Sequence, residues 1–86
     1  MIIDFHRNFD KAYFKLSPKL QAKVDQAIHL FERDPFDPKL RNHALLGQMI
    51  GRRAFSVTGD VRVVFQVFEN YAIVLMVDVG THNQVY

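Results

Sequence analysis

The chain has 86 residues, a formal net charge of +2 at neutral pH, an apolar fraction of 49% and no cysteine. This length predicts a single domain spanning residues 1–86, and the missing cysteine excludes disulfide bonds and cysteine-ligated zinc. The apolar fraction is typical of a folded protein. No leader segment and no apolar run long enough for a transmembrane helix is visible, so we expect a cytoplasmic location and no membrane partner.

The first third of the chain predicts a short strand followed by two helices. Ile2–Phe5 is a β-prone run, and Asn8 can cap a helix whose apolar residues recur at positions 9, 12, 13 and 16. Ser17, followed by proline, is a start signal for a second helix. That helix must end near residue 34, because Pro35 disfavours a helical residue before it. The two helices therefore form a hairpin.

The second half of the chain predicts an antiparallel meander. A proline-punctuated connector, residues 35–47, precedes three β-prone runs, and turns are predicted at residues 58–60 and 69–70. The third run, residues 71–79, is apolar at almost every position, which is typical of a central strand covered on both faces. With the N-terminal strand, the prediction is an α+β fold, in which the helical hairpin packs on one face of a four-stranded, mainly antiparallel sheet.

The C-terminal segment from Gly80 to Tyr86 gathers a histidine, amides and a terminal tyrosine behind the most apolar run. We expect Gly80 to allow a sharp change of direction after Val79. His82 can carry a proton near neutral pH, and Tyr86 can stack on a base and donate a hydrogen bond. The alternative is a solvated, partly frayed polar end. In the functional interpretation too, we expect this segment to contribute little buried area.

Arginines form a basic zone in the middle of the sequence. Arg52 and Arg62 fall on positions opposite in parity to the core residues of their strands, so both should leave the core face and could grip a phosphate. Arg53 has the same parity as the core residues of its strand, so the direction of its side chain is less clear. The alternative is a solvated sheet face. The histidines, which include His43 in the connector, lack ligand spacing, so no metal and no cofactor is predicted.

These residue types are compatible with one reaction class. RNA carries its own nucleophile, the 2′-hydroxyl, so its cleavage needs a base, cationic donors for the phosphate oxygens and an acid for the leaving oxygen. His82, a pair of arginines, and either His43 or Asp60 would supply these groups.

Several short motifs together resemble the RelE/ParE superfamily of toxins, and most closely its YafQ branch. The resemblance covers nearly the whole chain and rests on Leu16-Ser17-Pro18, Asp34-Pro35, Asn42-His43-x-Leu45-x-Gly47, Arg53, Asp60-Val61-Arg62-Val63-Val64-Phe65 and Gly80-Thr81-His82-x-x-x-Tyr86. It implies a type II toxin that is paired with an antitoxin and cuts messenger RNA on the ribosome, without metal, through a 2′,3′-cyclic phosphate.

The resemblance also implies roles for single residues. His82 matches the catalytic histidine and would be the general acid, and Tyr86 matches the terminal aromatic residue that orients the substrate. Either His43 or Asp60 would serve as the base or orient the reacting group. Arg62 matches a phosphate-binding arginine found in RelE more than in YafQ.

Two positions depart from the YafQ pattern, where Ser56 replaces a histidine and Val61 replaces a tryptophan. Ser56, Arg52 and Arg53 remain candidates for contacting the substrate. The departures keep two alternatives open, which are a toxin that inhibits gyrase in the manner of the ParE branch and a non-catalytic domain that binds RNA or protein. The presence of His82 favours RNA cleavage, since the ParE branch generally lacks it.

Overall fold

The computed structural model describes all 86 residues, which form an α+β fold. In chain order the elements are β1 (Ile2–Phe5), α1 (Arg7–Lys15), α2 (Pro18–Arg33), β2 (His43–Ala44), β3 (Arg53–Ser56), β4 (Val61–Phe68), β5 (Ile73–Thr81) and α3 (His82–Val85). Short 3-10 turns lie at Pro38–Leu40 and Gly47–Met49. None of the helices has the length and apolar character that crossing a bilayer requires.

The strands form one sheet in the order β1-β5-β4-β3-β2. β1 runs parallel to β5, and the other neighbours are antiparallel, so the predicted meander is confirmed. The predicted helical hairpin is confirmed by α1 and α2, which only two residues separate. The predicted number of four strands is wrong by one, because His43 and Ala44 in the connector pair with β3 and form a fifth, very short strand. Two residues are too few to show an alternating pattern in the sequence.

Local side-chain caps define the helical hairpin. The Ser17 hydroxyl accepts a hydrogen bond of 3.2 Å from the backbone amide of Leu20, as a serine before Pro18 predicts. The predicted cap of α1 at Asn8 is wrong. His6 occupies that position, and its ring nitrogen Nδ1 accepts a 3.0 Å hydrogen bond from the amide of Asn8.

The main core lies between the hairpin and the sheet and is built on three phenylalanines. The ring of Phe31 stacks on Phe55 with centroids 5.0 Å apart and meets the edge of Phe65 at 4.9 Å. All three side chains are fully buried. Aromatic pairs of this kind contribute about 0.5–1.5 kcal/mol each beyond the area that they bury, so this cluster anchors α2 to β3 and β4.

A second, smaller core covers the opposite face of the sheet. Its buried members are Leu45, Ala54, Val64, Val77 and Val85. Val85 belongs to α3, so the C-terminal segment is anchored to the sheet, and the expectation that it contributes little buried area is wrong. β4 and β5 are therefore covered on both faces, which explains the nearly continuous apolar run in β5.

Gly80 plays a different part from the predicted one. The strand continues through Gly80 to Thr81, so the chain does not turn after Val79. A Cβ atom on Gly80 would lie 2.7 Å from Gln84 Oε1 and 3.3 Å from Val85 Cγ1. Glycine is needed here because α3 packs directly over the strand.

Replacing Gly80 with alanine should push α3 away from the sheet and lower the free energy of unfolding by about 1–3 kcal/mol, as overpacking usually does. The clash includes Gln84 Cβ at 3.2 Å, which cannot move without the helix. Gly59→Ala is the matched control, since a Cβ there meets nothing within 4 Å. Chemical denaturation of both variants checks this, and equal stability would show that α3 is loosely held.

Candidate active site

The face of the sheet beneath α3 brings several of the predicted site residues together. Arg62 on β4 pairs with Ser56 on β3 and with Gly80 on β5. Paired residues project from the same face of a sheet. Arg62 therefore emerges beside the small residue over which α3 packs.

The side chain of Arg62 is oriented by neutral oxygens of the turn between β3 and β4. Its Nη1 donates to Ser56 Oγ at 3.1 Å and to the carbonyl oxygen of Thr58 at 3.4 Å. Neither acceptor carries a charge, so these bonds position the guanidinium group without neutralising it. A half-buried, oriented guanidinium is suited to a bidentate grip on a phosphate.

A basic cavity of about 200 Å³ opens beside Arg62, and Ser56 and the turn residues Thr58 and Gly59 line it. Lys39 and Arg41 reach the same cavity from the connector. Lys39 was missed by the sequence analysis, and Arg41 was not assigned to a site. The only signal was their position in the connector, whose path over the sheet the sequence does not reveal. Three cations around one small cavity form an anion-binding environment.

α3 places His82 and Tyr86 one helical turn apart, at its start and just beyond its end. Their rings meet edge to face with centroids 4.5 Å apart. The amide of Thr81 donates to Gln84 Oε1 at 2.8 Å, which fixes the start of this short helix. The His82 side chain is exposed, so its imidazole is free to meet a ligand from solvent.

Tyr86 links the terminal helix to the arginine. Burial raises the pKa of the Tyr86 hydroxyl above its ordinary value, and the positive charge of Arg62 partly offsets this rise. With a raised pKa, the Tyr86 hydroxyl remains protonated at neutral pH and can donate a hydrogen bond.

His43 and Asp60, the two candidates for the base, lie at different edges of this face. His43 pairs with Ala54 and so projects from the face that carries Arg62, and its Nδ1 lies 2.8 Å from the carbonyl oxygen of Arg41. A carbonyl oxygen only accepts, so Nδ1 carries the hydrogen and the neutral ring keeps an unprotonated Nε2. Asp60 is exposed and directly precedes Val61.

The register of β4 and β5 relates Asp60 to His82. Val61 pairs with Thr81, the last residue of β5. Asp60 and His82 are the next residues outward on each chain, so both stand at the same end of the ladder. Val61 itself is buried in the main core on the opposite face. It therefore offers no stacking surface at this site.

Arg52 and Arg53 are not joined to the basic cavity. Arg53 pairs with the core residue Phe65, and its Nε donates to Asn42 Oδ1 at 2.8 Å. Its guanidinium group therefore ties the connector to the hairpin side of the sheet. Arg52 directly precedes β3, and its backbone bonds to Leu45 and Met49. The predicted pairing of Arg62 with Arg52 or Arg53 is replaced by Lys39 and Arg41.

The assembled groups define what the site can do. Cations can hold an anion at Arg62, imidazoles can accept and donate protons, and a protonated tyrosine can orient a flat ring. Nowhere do three histidine, aspartate or glutamate side chains gather as a metal site would need. The arrangement suits proton-transfer chemistry at a phosphate group.

A protein-family comparison decides the family. The model of a family described as a bacterial toxin of a type II toxin–antitoxin system, YafQ, matches residues 1–86, the whole chain. The chain belongs to this toxin family. The predicted resemblance to the RelE superfamily, near its YafQ branch, is thereby confirmed. Among curated proteins, a comparison of sequences finds no significant match.

Solved structures of other toxins share the fold. YafQ from E. coli superposes with a TM-score of 0.80 at 19% identity, covering 98% of this chain and 96% of that one. A YoeB/ParE toxin from Agrobacterium tumefaciens gives 0.78 at 19% identity, covering 95% and 99%. The RelBE2 toxin–antitoxin complex of Mycobacterium tuberculosis gives 0.77 at 17% identity, covering 94% and 96%.

Replacing Arg62 of this toxin with alanine should raise the pKa of Tyr86 further, because the variant loses the positive charge that favours the phenolate. Arg33→Ala removes an equal charge from the exposed end of α2 and should leave the pKa of Tyr86 unchanged. An NMR titration with labelled tyrosine measures the pKa of each of the three tyrosines separately. An unmoved Tyr86 in Arg62→Ala would mean that the two side chains do not meet in solution.

Proposed function

We propose that this toxin is a metal-independent endoribonuclease that cleaves messenger RNA on the translating ribosome, and that it acts in the cytoplasm. The observation that carries the proposal is the position of α3, whose residues pack over Gly80, the strand partner of Arg62. This places the His82–Tyr86 ring pair on the face of the sheet where Arg62 lines the basic cavity. RNA is the favoured substrate because it supplies its own nucleophile, so the protein needs only positioning and proton transfer.

Arg62 would hold the scissile phosphate. Its bonds to Ser56 and Thr58 keep the guanidinium group in place before the substrate arrives, so little reorganisation is needed as charge develops on the non-bridging oxygens. Ser56 contributes to binding by orienting Arg62. Lys39 and Arg41 line the same cavity and would neutralise this phosphate or its neighbour in the strand.

A base would remove the proton of the 2′-hydroxyl. The 2′-oxygen then attacks phosphorus, the bond from phosphorus to the 5′-oxygen breaks, and the products are a 2′,3′-cyclic phosphate and a 5′-hydroxyl end. His43 is favoured as this base over Asp60, because the carbonyl oxygen of Arg41 fixes the tautomer in which Nε2 can accept a proton. Asp60 would then orient the protonated imidazole of His82 from the end of the same ladder.

His82 would donate the proton that the leaving 5′-oxygen needs. Its ring is exposed and touches the edge of Tyr86, which limits how the imidazole can rotate. Tyr86, with its hydroxyl protonated and near Arg62, would place the nucleotide by stacking and by a hydrogen bond. Arg62 lies near the start of β4, and His82 directly follows the end of β5. The acid and the phosphate-binding arginine therefore lie at neighbouring strand ends.

His82→Gln should slow cleavage of ribosome-bound message by about 10²-fold or more, the usual loss for a general acid. The free energy of unfolding should change little, because the His82 side chain is exposed. Single-turnover cleavage and thermal denaturation measure the two effects. His29→Gln is the control, since His29 is an exposed histidine on α2, on the opposite face of the sheet.

Two results would contradict this assignment. If His82→Gln loses stability and activity together, α3 is a structural latch and His82 is not the acid. If induction of the unaltered toxin arrests growth while transcripts remain uncut and gyrase is inhibited, the gyrase-directed alternative replaces the nuclease.

We also propose that an antitoxin binds the toxin and covers the basic cavity. The DinJ–YafQ complex of E. coli has the same toxin fold, with a TM-score of 0.77 at 20% identity and coverage of 98% and 94%. Because the cavity is lined by Lys39, Arg41 and Arg62, an acidic or amphipathic antitoxin segment would complement it. Occupying the cavity would also exclude the substrate.

The charge-reversed double variant Lys39→Glu with Arg41→Glu should bind the antitoxin at least about tenfold more weakly, and the loss should shrink at high salt. The partner is the product of the neighbouring reading frame, co-expressed with the toxin, and affinity is measured by titration calorimetry. Arg33→Glu serves as the control on the hairpin. Equal affinities would place the antitoxin elsewhere, for example on the exposed rings of Phe5 and Phe14.

A further inference from the structure

The loop that joins β2 to β3 forms a second cavity beside Tyr86, separate from the basic one. Its volume is about 330 Å³, and its walls are Leu45, Leu46, Gln48, Met49 and Tyr86. Tyr86 connects this cavity to the candidate active site, since its ring meets that of His82 while its side chain borders the cavity. None of the other four residues takes part in the proton-transfer chemistry proposed above.

The loop is held in place by its backbone. The amide of Ile50 donates to the carbonyl of Gly47 at 3.1 Å, and that of Arg52 to the carbonyl of Met49 at 3.0 Å. Gly47 and Gly51 have φ angles of +65° and +90°, which favour glycine. The walls of the cavity are therefore formed before a ligand arrives.

The loop also shows apolar side chains to solvent. The side chain of Leu46 is 83% exposed, and that of Ile50 is 77% exposed. Gln48 is the one polar side chain of the connecting loop that lines the cavity, and its carboxamide is exposed. Apolar walls with one carboxamide match a flat ring that has a hydrogen-bonding edge.

Resting on the proposed ribonuclease function, we propose that this cavity receives one nucleobase next to the scissile phosphate, and that Gln48 selects it by hydrogen bonds to its edge. A nucleotide whose phosphate lies at Arg62 would have its base beside α3, because Arg62 pairs with Gly80 beneath that helix and Tyr86 ends it. Bases of single-stranded RNA commonly leave the stack, lie against aromatic side chains and are read at their edges. The carboxamide of Gln48 offers an NH2 donor group and a carbonyl acceptor. If an apolar side chain of a peptide occupied the cavity, both groups would be left without a partner.

The experiment maps the ends of all cellular transcripts after brief induction of the full chain. For the unaltered toxin we expect a base preference at one position adjacent to the cut. In Gln48→Leu that preference should fall about tenfold, the scale of one bidentate base contact, while the total number of cuts changes by only a few-fold. In Gln48→Glu the preference should move towards guanine, because the Watson–Crick edge of guanine offers two adjacent donors to a carboxylate.

Gln26→Leu is the matched control, because Gln26 is an exposed glutamine on α2, away from the cavity. If the Gln48 variants keep the base preference of the unaltered toxin, the assignment of the cavity is wrong while the ribonuclease function stands. If they keep it but lose affinity for the antitoxin, the cavity belongs to the antitoxin. If the unaltered toxin cuts no transcript, the ribonuclease function fails, and the nucleobase assignment fails with it.

Discussion

The antiparallel register of β4 against β5 is the constraint on which the site depends. By pairing Arg62 with Gly80, it sets the one basic residue of the middle strand beside the one residue small enough for α3 to pack over. The same register ends β5 at Thr81, opposite Val61, so that His82 starts α3 at the edge where Asp60 ends the preceding turn. A shift of one residue would turn Arg62 into the main core, since neighbouring positions of a strand face opposite sides.

The two faces of the sheet have different roles: one carries most of the hydrophobic core, and the other carries the candidate active site. The hairpin face holds the larger core, anchored by Phe31 between Phe55 and Phe65, and these three side chains are fully buried. The other face is covered only in part, by α3 and the connector, and its small core lies beside the basic cavity. A toxin of 86 residues can thus carry exposed titratable groups on one face because most of its buried area is secured on the other.

The terminal helix is a structural element, and it also positions His82 and Tyr86, two residues of the proposed site. Val85 is buried, whereas His82 and Tyr86, three residues before it and one after it, are exposed. Substitutions of His82 and Tyr86 can therefore separate activity from stability, while changes at Gly80 or Val85 affect both. Loss of activity alone does not distinguish a catalytic group from a structural one, whereas loss of activity at unchanged stability does.

The sequence by itself determined the hairpin, the meander and the fold class, because these follow from local signals: helical and alternating periodicity, the cap at Ser17 and the turn residues after Ser56 and Phe68. Its motifs also indicated the toxin family and predicted a catalytic role for His82. Only the tertiary structure decided which cations share a cavity. Arg53 has a core-facing parity and bonds to Asn42, whereas Lys39 and Arg41 reach Arg62 because the connector folds back along the sheet as β2. Two residues of strand and a four-residue helix are set by long-range packing, and such contacts leave no periodic trace in the sequence.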